Sequence, residues 1–241
     1  MGFVDAVLLI IVGIGAGFVQ RVSGFGLGIF AMLFLPHFLP SHTAAATIVG
    51  ICSMVTSSYN AVKYRKDIPY KTVLPLLLSA MISIPFAVYF SSKVPKGIFE
   101  ILLGAVLVIL SIYFLFFNKS IKIKASPVNG AVSGTLSGIL NGLFSTGGPP
   151  AVLYLTHAAA SNGAYFAGIQ FFFGLTNIYA SVMRVLGGLV TLDVLTMSAF
   201  GLFGCLLGDF LGKGVFDKLD TNMLKKIIYI GMTVSGIIMI I

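Results

Sequence analysis

The stretch Gly134-Thr-Leu-Ser-Gly138-Ile-Leu-Asn141-Gly142-Leu-Phe-Ser145-Thr146-Gly147-Gly148-Pro149-Pro150 begins as an apolar helix and ends as a break. An earlier stretch has the same form: Gly13-Ile-Gly-Ala-Gly17-Phe-Val-Gln20-Arg21-Val-Ser23-Gly24-Phe25-Gly26-Leu-Gly28. Each carries small residues every fourth position and then collapses into glycine and hydroxyl residues. Backbone groups freed by a break are costly in lipid, so such a break survives only inside protein or beside a watery cavity. Two breaks at corresponding places in two halves point to a transporter's binding site.

The setting is membranous. The 241 residues are 58% hydrophobic and only 9% charged, with mean hydropathy +1.05. A soluble domain carries about 25% charged residues. The net charge of +8 is concentrated in short loops between apolar runs. There it serves orientation and gives no reason to expect nucleic acid. Cys52 and Cys205 both fall inside apolar runs and read as small buried hydrophobes. The start lacks a basic n-region and a small-residue cleavage site, so it reads as mature sequence.

Eight segments are predicted. Segment 1 runs from Phe3 to Gln20, breaks over Arg21 to Gly26, resumes from Leu27 to Leu35 and is stopped by Pro36 and Pro40. Segments 2, 3 and 4 cover Ser41–Val62, Thr72–Phe90 (through Pro75 and Pro85) and Ile98–Phe117. Segment 5 is the second broken run, Val128 to Thr156. Segments 6 and 7 cover Gly163–Met183 and Val194–Leu211, and segment 8 ends at Ile241. Spans of this length match a hydrocarbon core of about 30 Å.

The fold class expected is an all-α polytopic membrane protein of two four-segment repeats, each opening with a broken or re-entrant helix. The repeats are residues 1–118 and 126–241, joined by a basic cytoplasmic linker at 119–125. A shift of 121 residues places Gly13 on Gly134, Gly17 on Gly138, Gly26 on Gly147, Gln20 on Asn141 and Lys63 on Arg184. The most basic loops follow segments 2, 4 and 7. All three reach the cytoplasm only if segment 5 enters and leaves by one face, as the positive-inside rule favours. Segment 1 would then do the same, and the halves would be inverted in topology. Eight full spans are the alternative.

A broken helix offers unpaired N–H groups and a partial positive charge where its second arm starts, which suits an anion. The candidate substrate-binding residues are Gln20, Arg21, Ser23, Gly24, Gly26, Asn141, Ser145, Thr146, Gly147 and Gly148. Arg21 would supply the charge, since an ionisable residue at depth is functional by default. The second arms are expected to start near Leu27 and Pro149. The regularly spaced glycines, such as Gly134, serve close helix packing and should tolerate a methyl group. The tip glycines, Gly147 and Gly148, should need φ > 0 or close approach of the anion. Asn177 and Gln170 could face the site or pair between helices. Arg184 reads as an interfacial anchor, and Asp209 as a partner for Lys213. The histidines have no metal-ligand spacing and no phosphate-binding loop is present, so neither a cofactor nor catalysis is expected.

The chain resembles the TauE/SafE sulfite exporter family of membrane permeases. The resemblance rests on the glycine-rich openings Gly13 to Gly28 and Gly134 to Pro150 and on the run Ser145 to Tyr154. The Thr-Ala-Ala-Ala-Thr run from Thr43 and the basic loop after segment 2 also fit. Two places depart from the family's usual pattern: Gly148-Pro149-Pro150, where many relatives continue with glycine, and Gly26-Leu27-Gly28, where a third glycine is common. The resemblance implies transport of a sulfur oxyanion or organosulfonate, such as sulfite or sulfoacetate, across the cytoplasmic membrane. The residues alone are compatible with a secondary transporter working by alternating access, an anion channel, or a non-transporting scaffold subunit. Partners expected are a small anion and the lipid bilayer. Proton or ion coupling and homo-oligomerisation stay open.

Overall fold

The computed structural model describes residues 2–39, 41–117, 124–215 and 221–241. Pro40, residues 119–123 of the expected linker, and the loop residues Asp217, Lys218 and Asp220 lie outside the described residues. The chain is 87% helical, with no strands among the described residues. In chain order the helices are α1 (Phe3–Ser23), α2 (Leu27–Phe38), α3 (His42–Lys63), α4 (Tyr70–Ser91) and α5 (Lys96–Ile112), which a π turn at Tyr113–Phe117 extends. Then follow α6 (Pro127–Phe144), α7 (Gly148–Ala158), α8 (Asn162–Leu186), α9 (Leu192–Val215) and α10 (Thr221–Ile240). Among the described residues, six of them are long and apolar enough to cross a membrane, and α2 and the Tyr229–Ile240 part of α10 are shorter apolar helices. The protein is a multi-pass membrane protein.

Local chemistry sets the boundaries. Ser41, Ser126 and Ser161 cap α3, α6 and α8, each side chain accepting from the backbone N–H three residues on. Such caps satisfy one of the donors that every helix start leaves free. Pro75 and Pro85 lie inside α4 without ending it, since α4 runs unbroken from Tyr70 to Ser91. Leu74, Leu78, Ile82 and Phe86, at four-residue spacing on α4, are each more than half exposed. An apolar stripe of that kind suits lipid.

Glycine rows build the core. α1 lies alongside α9: a Cβ on Gly13 would stand 2.5 Å from Gly201 O, and Gly17, Gly204 and Gly208 face Cys205, Ile10 and Ile14 in turn. Residue numbers rise together on both helices, so the pair is parallel. α6 lies alongside α4 in the same manner, with Gly130, Gly134, Gly138 and Gly142 facing Pro75, Leu76, Ala80 and Ile84. Without side chains in the way, the backbones come into direct contact. Gly134 therefore cannot take a methyl group freely, contrary to its sequence reading: the added carbon would run into Leu76 O and Ser79 Oγ. α3 packs on α8, and α5 on α10. The second of these contacts is drawn in by Ser111, whose hydroxyl meets Tyr229 O at 2.6 Å.

Candidate functional site

Both broken segments are helical hairpins. α2 turns back along α1: Phe30 lies against Gly15, and Leu35 shares a cleft with Leu9 and Val12. α7 turns back along α6, and the Tyr154 hydroxyl donates to Ser126 O at 3.2 Å near the start of α6. The second arms start at Leu27 and Gly148, as the sequence predicts. The first break is shorter than expected. α1 continues through Arg21 to Ser23, and only Gly24-Phe25-Gly26 leaves the helix.

The two turns use different residues for the same backbone requirement. Gly24 (φ 79°) and Gly26 (φ 101°) take left-handed conformations, which glycine adopts without steric cost. In the second turn the left-handed residue is Ser145 (φ 55°), while Gly147 sits at φ −66°. Gly147 is needed for space instead, because a Cβ there would stand 2.8 Å from Asn141 Cβ and run into Ser137 O. Gly148 needs neither; its Cβ would meet Phe25 and Phe173 at 3.4 and 3.5 Å, ordinary contact distances. Of the two reasons expected for Gly148, a left-handed φ is not the one the backbone uses.

The tips meet. Gly28 faces Ser145 O so closely that any side chain would collide with it. Around this contact lies a chamber with about 20 Å³ of free space, room for about one water molecule. Of the ten candidate residues, Gln20, Gly26, Asn141, Ser145, Thr146, Gly147 and Gly148 line it. Leu27, Gly28 and Ile29, which open α2, also line it, as do Phe25, Ser53, Phe173 and Asn177. Ser53 and Phe173 carry no signal in the sequence, being one hydroxyl and one ring among many on apolar helices.

The lining is polar and incompletely paired. Gln20 Nε2 donates to Ser57 Oγ at 3.0 Å and to Gln170 Oε1 at 3.3 Å. Gln170 Nε2 donates to Gly24 O at 2.8 Å and so caps α1. Asn177 Nδ2 donates to Ser53 Oγ at 3.2 Å. Ser145 Oγ donates to Ala46 O at 2.6 Å. Asn141 Nδ2, Thr146 Oγ1 and the acceptor Asn177 Oδ1 are buried without any partner. Buried polar atoms are rarely left so, and each orphan asks for a ligand or a water. The first N–H groups of α2 and α7 have no intrahelical partner either. Pro149 and Pro150 carry no N–H, which leaves Gly148 as the donor opening α7.

The other three candidates lie elsewhere. Arg21 is paired with Asp209 of α9 at 4.0 Å and does not line the chamber. That pairing also replaces the expected Asp209–Lys213 partnership. Gly24 lies outside the lining too, against Phe166 and Tyr165. Ser23 lines a second, larger cavity of about 370 Å³ together with Thr156, Ser161, Asn162, Tyr165 and Tyr229. Phe25 borders both cavities, with its ring 5.7 Å from that of Phe114. On the side of the second tip the packing is tight. Phe144 is buried edge-on against Phe99 (centroids 4.9 Å apart), and Phe99 stacks on His42.

Arg184 is not the interfacial anchor expected. It is 1% exposed, and its Nη2 donates to Asn141 O at 3.0 Å and Gly142 O at 3.1 Å. Cys52 and Cys205 are free and buried, as expected. No group of three or more metal-ligating side chains occurs among the described residues.

A helical membrane protein whose two hairpins meet tip to tip at a polar chamber has the build of a transporter. The chain belongs to the sulfite exporter TauE/SafE family, whose model matches residues 9–239. Members of this family are membrane transporters of sulfur anions and not enzymes. No curated protein and no solved structure matches the chain.

Proposed function

We propose that this chain is a secondary transporter that moves a sulfur oxyanion or organosulfonate, such as sulfite or sulfoacetate, across the cytoplasmic membrane by alternating access. One observation carries the proposal. The unpaired donors of two helix starts, with the orphan donors Asn141 Nδ2 and Thr146 Oγ1, converge on one chamber. Unpaired donors at the positive ends of helix dipoles outnumber the one orphan acceptor, Asn177 Oδ1, and are complementary to an oxyanion. Gln20, Gly26, Ser145, Gly147 and Gly148 complete the contact surface.

The halves, 1–118 and 126–241, act as inverted repeats joined by the basic linker 119–125. Helix bounds support this: α7 at 148–158, less 121, becomes 27–37, against 27–38 for α2. Packing supports it as well. Exchanging α1–α5 for α6–α10 turns the α1/α9 pair into α6/α4 and leaves the α3/α8 and α5/α10 pairs unchanged. As hairpins, α1–α2 and α6–α7 are re-entrant, and the three basic loops are cytoplasmic. Tyr64, beside the Lys63–Lys71 loop, packs edge-on against Phe166, next to Tyr165 of the larger cavity. That cavity is therefore a cytoplasmic vestibule, and Phe25 is the plug between it and the chamber. A chamber the size of one water must widen to admit sulfite, which rocking of one repeat against the other provides.

The test is uptake into proteoliposomes of labelled sulfite, sulfoacetate and sulfate, with choline as control. Saturable uptake of at least one of the anions, accelerated by the same anion inside, is expected. Conductance without counterflow would mean a channel. No flux of any anion from well-folded protein would overturn the reading.

A further inference from the structure

Arg184 is the one fully buried guanidinium among the described residues, and no carboxylate lies within ion-pair distance of it there. Nη2 holds two carbonyl oxygens, and Nη1 has no partner. Gly50 of α3 leaves the room this requires: a Cβ there would stand 2.6 Å from Nη1 and 3.1 Å from Ser145 Oγ. An unpaired charge at such depth is expensive and calls for a counter-charge.

Its position says what the counter-charge is. α6 ends beneath the chamber, and the end of a helix carries partial negative charge on its free carbonyls. Asn141 O accepts from Ser145 N–H at 2.9 Å, but without a cation Asn141 O and Gly142 O would still repel an anion at the tip. Arg184 binds both, and Asn141 also offers its orphan Nδ2 to the chamber. The matching end of α1 is capped by the neutral amide of Gln170. Arg21, the other cation near a tip, is already paired with Asp209.

We propose that Arg184 is the fixed charge of the anion site. It acts from behind the second tip, through the carbonyls of Asn141 and Gly142, and the transported anion is its missing counter-ion. It is a positioning residue and does not touch the substrate. This rests on the reading of the chamber as an anion site and names the source of its selectivity. Charge selection should follow the charge of the ligand, which a merely structural arginine would not influence.

The experiment is equilibrium binding of sulfate and methanesulfonate, which differ by one charge on the same kind of group, to purified full-length protein. Arg184→Gln keeps hydrogen-bonding capacity and removes the charge. It should weaken methanesulfonate on the order of tenfold and sulfate on the order of a hundredfold, because the Coulomb term doubles with ligand charge. Equal losses for both ligands, or none, would overturn the proposal. Arg184→Lys keeps the charge and loses the planar fork. It should weaken both ligands while keeping their ratio, and it decides the matter alone if the glutamine variant does not fold. A ratio that falls tenfold in Arg184→Lys overturns the proposal. Wild-type protein that binds neither ligand, nor any sulfur anion that it transports, would instead defeat the anion reading of the chamber.

Discussion

The two hairpins follow one path and are finished differently. The α1–α2 turn is Gly24-Phe25-Gly26, capped by the neutral Gln170, with a vestibule of about 370 Å³ in front of it. The α6–α7 turn is Ser145-Thr146-Gly147, with the buried Arg184 bound to Asn141 O and Gly142 O just before it and Phe144, Phe99 and His42 packed closely beyond it. Both deliver a helix start to the same chamber. The difference teaches a division of labour within a duplicated plan: on our proposal the first tip carries the plug and the open approach, and the second carries the charge and the closed wall.

The comparison breaks most visibly where the tips touch. A side chain at Gly28 would collide with Ser145 O. Gly28→Val should push the tips apart and reduce anion affinity by at least about a hundredfold, through loss of several charge-assisted hydrogen bonds. Binding by calorimetry checks it, with Gly97→Ala as control, since nothing lies within 4 Å of a Cβ at Gly97. Near-normal affinity in Gly28→Val would mean that the tips need not meet. The loss of charge in Arg184→Gln, tested by sulfate against methanesulfonate, comes next in size.

The plug gives a moderate effect. Phe25→Ala should open the vestibule to the chamber. In a background with Cys52 and Cys205 replaced by alanine, a cysteine at Ser53 should then react with a polar thiol reagent from the Lys63–Lys71 side on the order of tenfold faster; a side chain this size fills space that water would otherwise enter. An unchanged rate would show that Phe25 does not separate the cavities.

Arg21 gives the smallest effect. Its partnership with Asp209 is loose, at 4.0 Å, and both side chains are partly exposed. Arg21→Gln should leave the dissociation constant of the transported anion within about twofold and cost at most about 1 kcal/mol of stability. A tenfold loss of affinity would return Arg21 to the site.

Much of this was legible in the sequence because the tips are local features. Glycine, hydroxyl and proline clusters mark a break wherever they occur in an apolar run, and both second arms begin where Gly26-Leu27 and Gly148-Pro149 suggest. What could not be read is contact between helices distant in the chain. Arg184 lies 39 residues beyond Ser145 in sequence, and nothing local distinguishes it from an anchor near a helix end. Arg21 is conspicuous beside the break, yet its surroundings are set by Asp209, 188 residues away. The tolerance expected at Gly134 failed for the same reason. A packing glycine reads as tolerant until its neighbour is known to be the Leu76 carbonyl at contact distance, whereas Gly148 faces only the movable rings of Phe25 and Phe173.

The central claim is that an oxyanion binds between the starts of α2 and α7. Selenate carries the same tetrahedral oxyanion chemistry as sulfate with a strong anomalous scatterer at its centre. Anomalous diffraction from crystals of the full chain grown with selenate locates the ion directly. The account predicts one selenium peak within hydrogen-bonding reach of the Gly28 and Gly148 N–H groups, Asn141 Nδ2 and Thr146 Oγ1. A peak in the larger cavity beside Ser23, with the chamber empty, would contradict it.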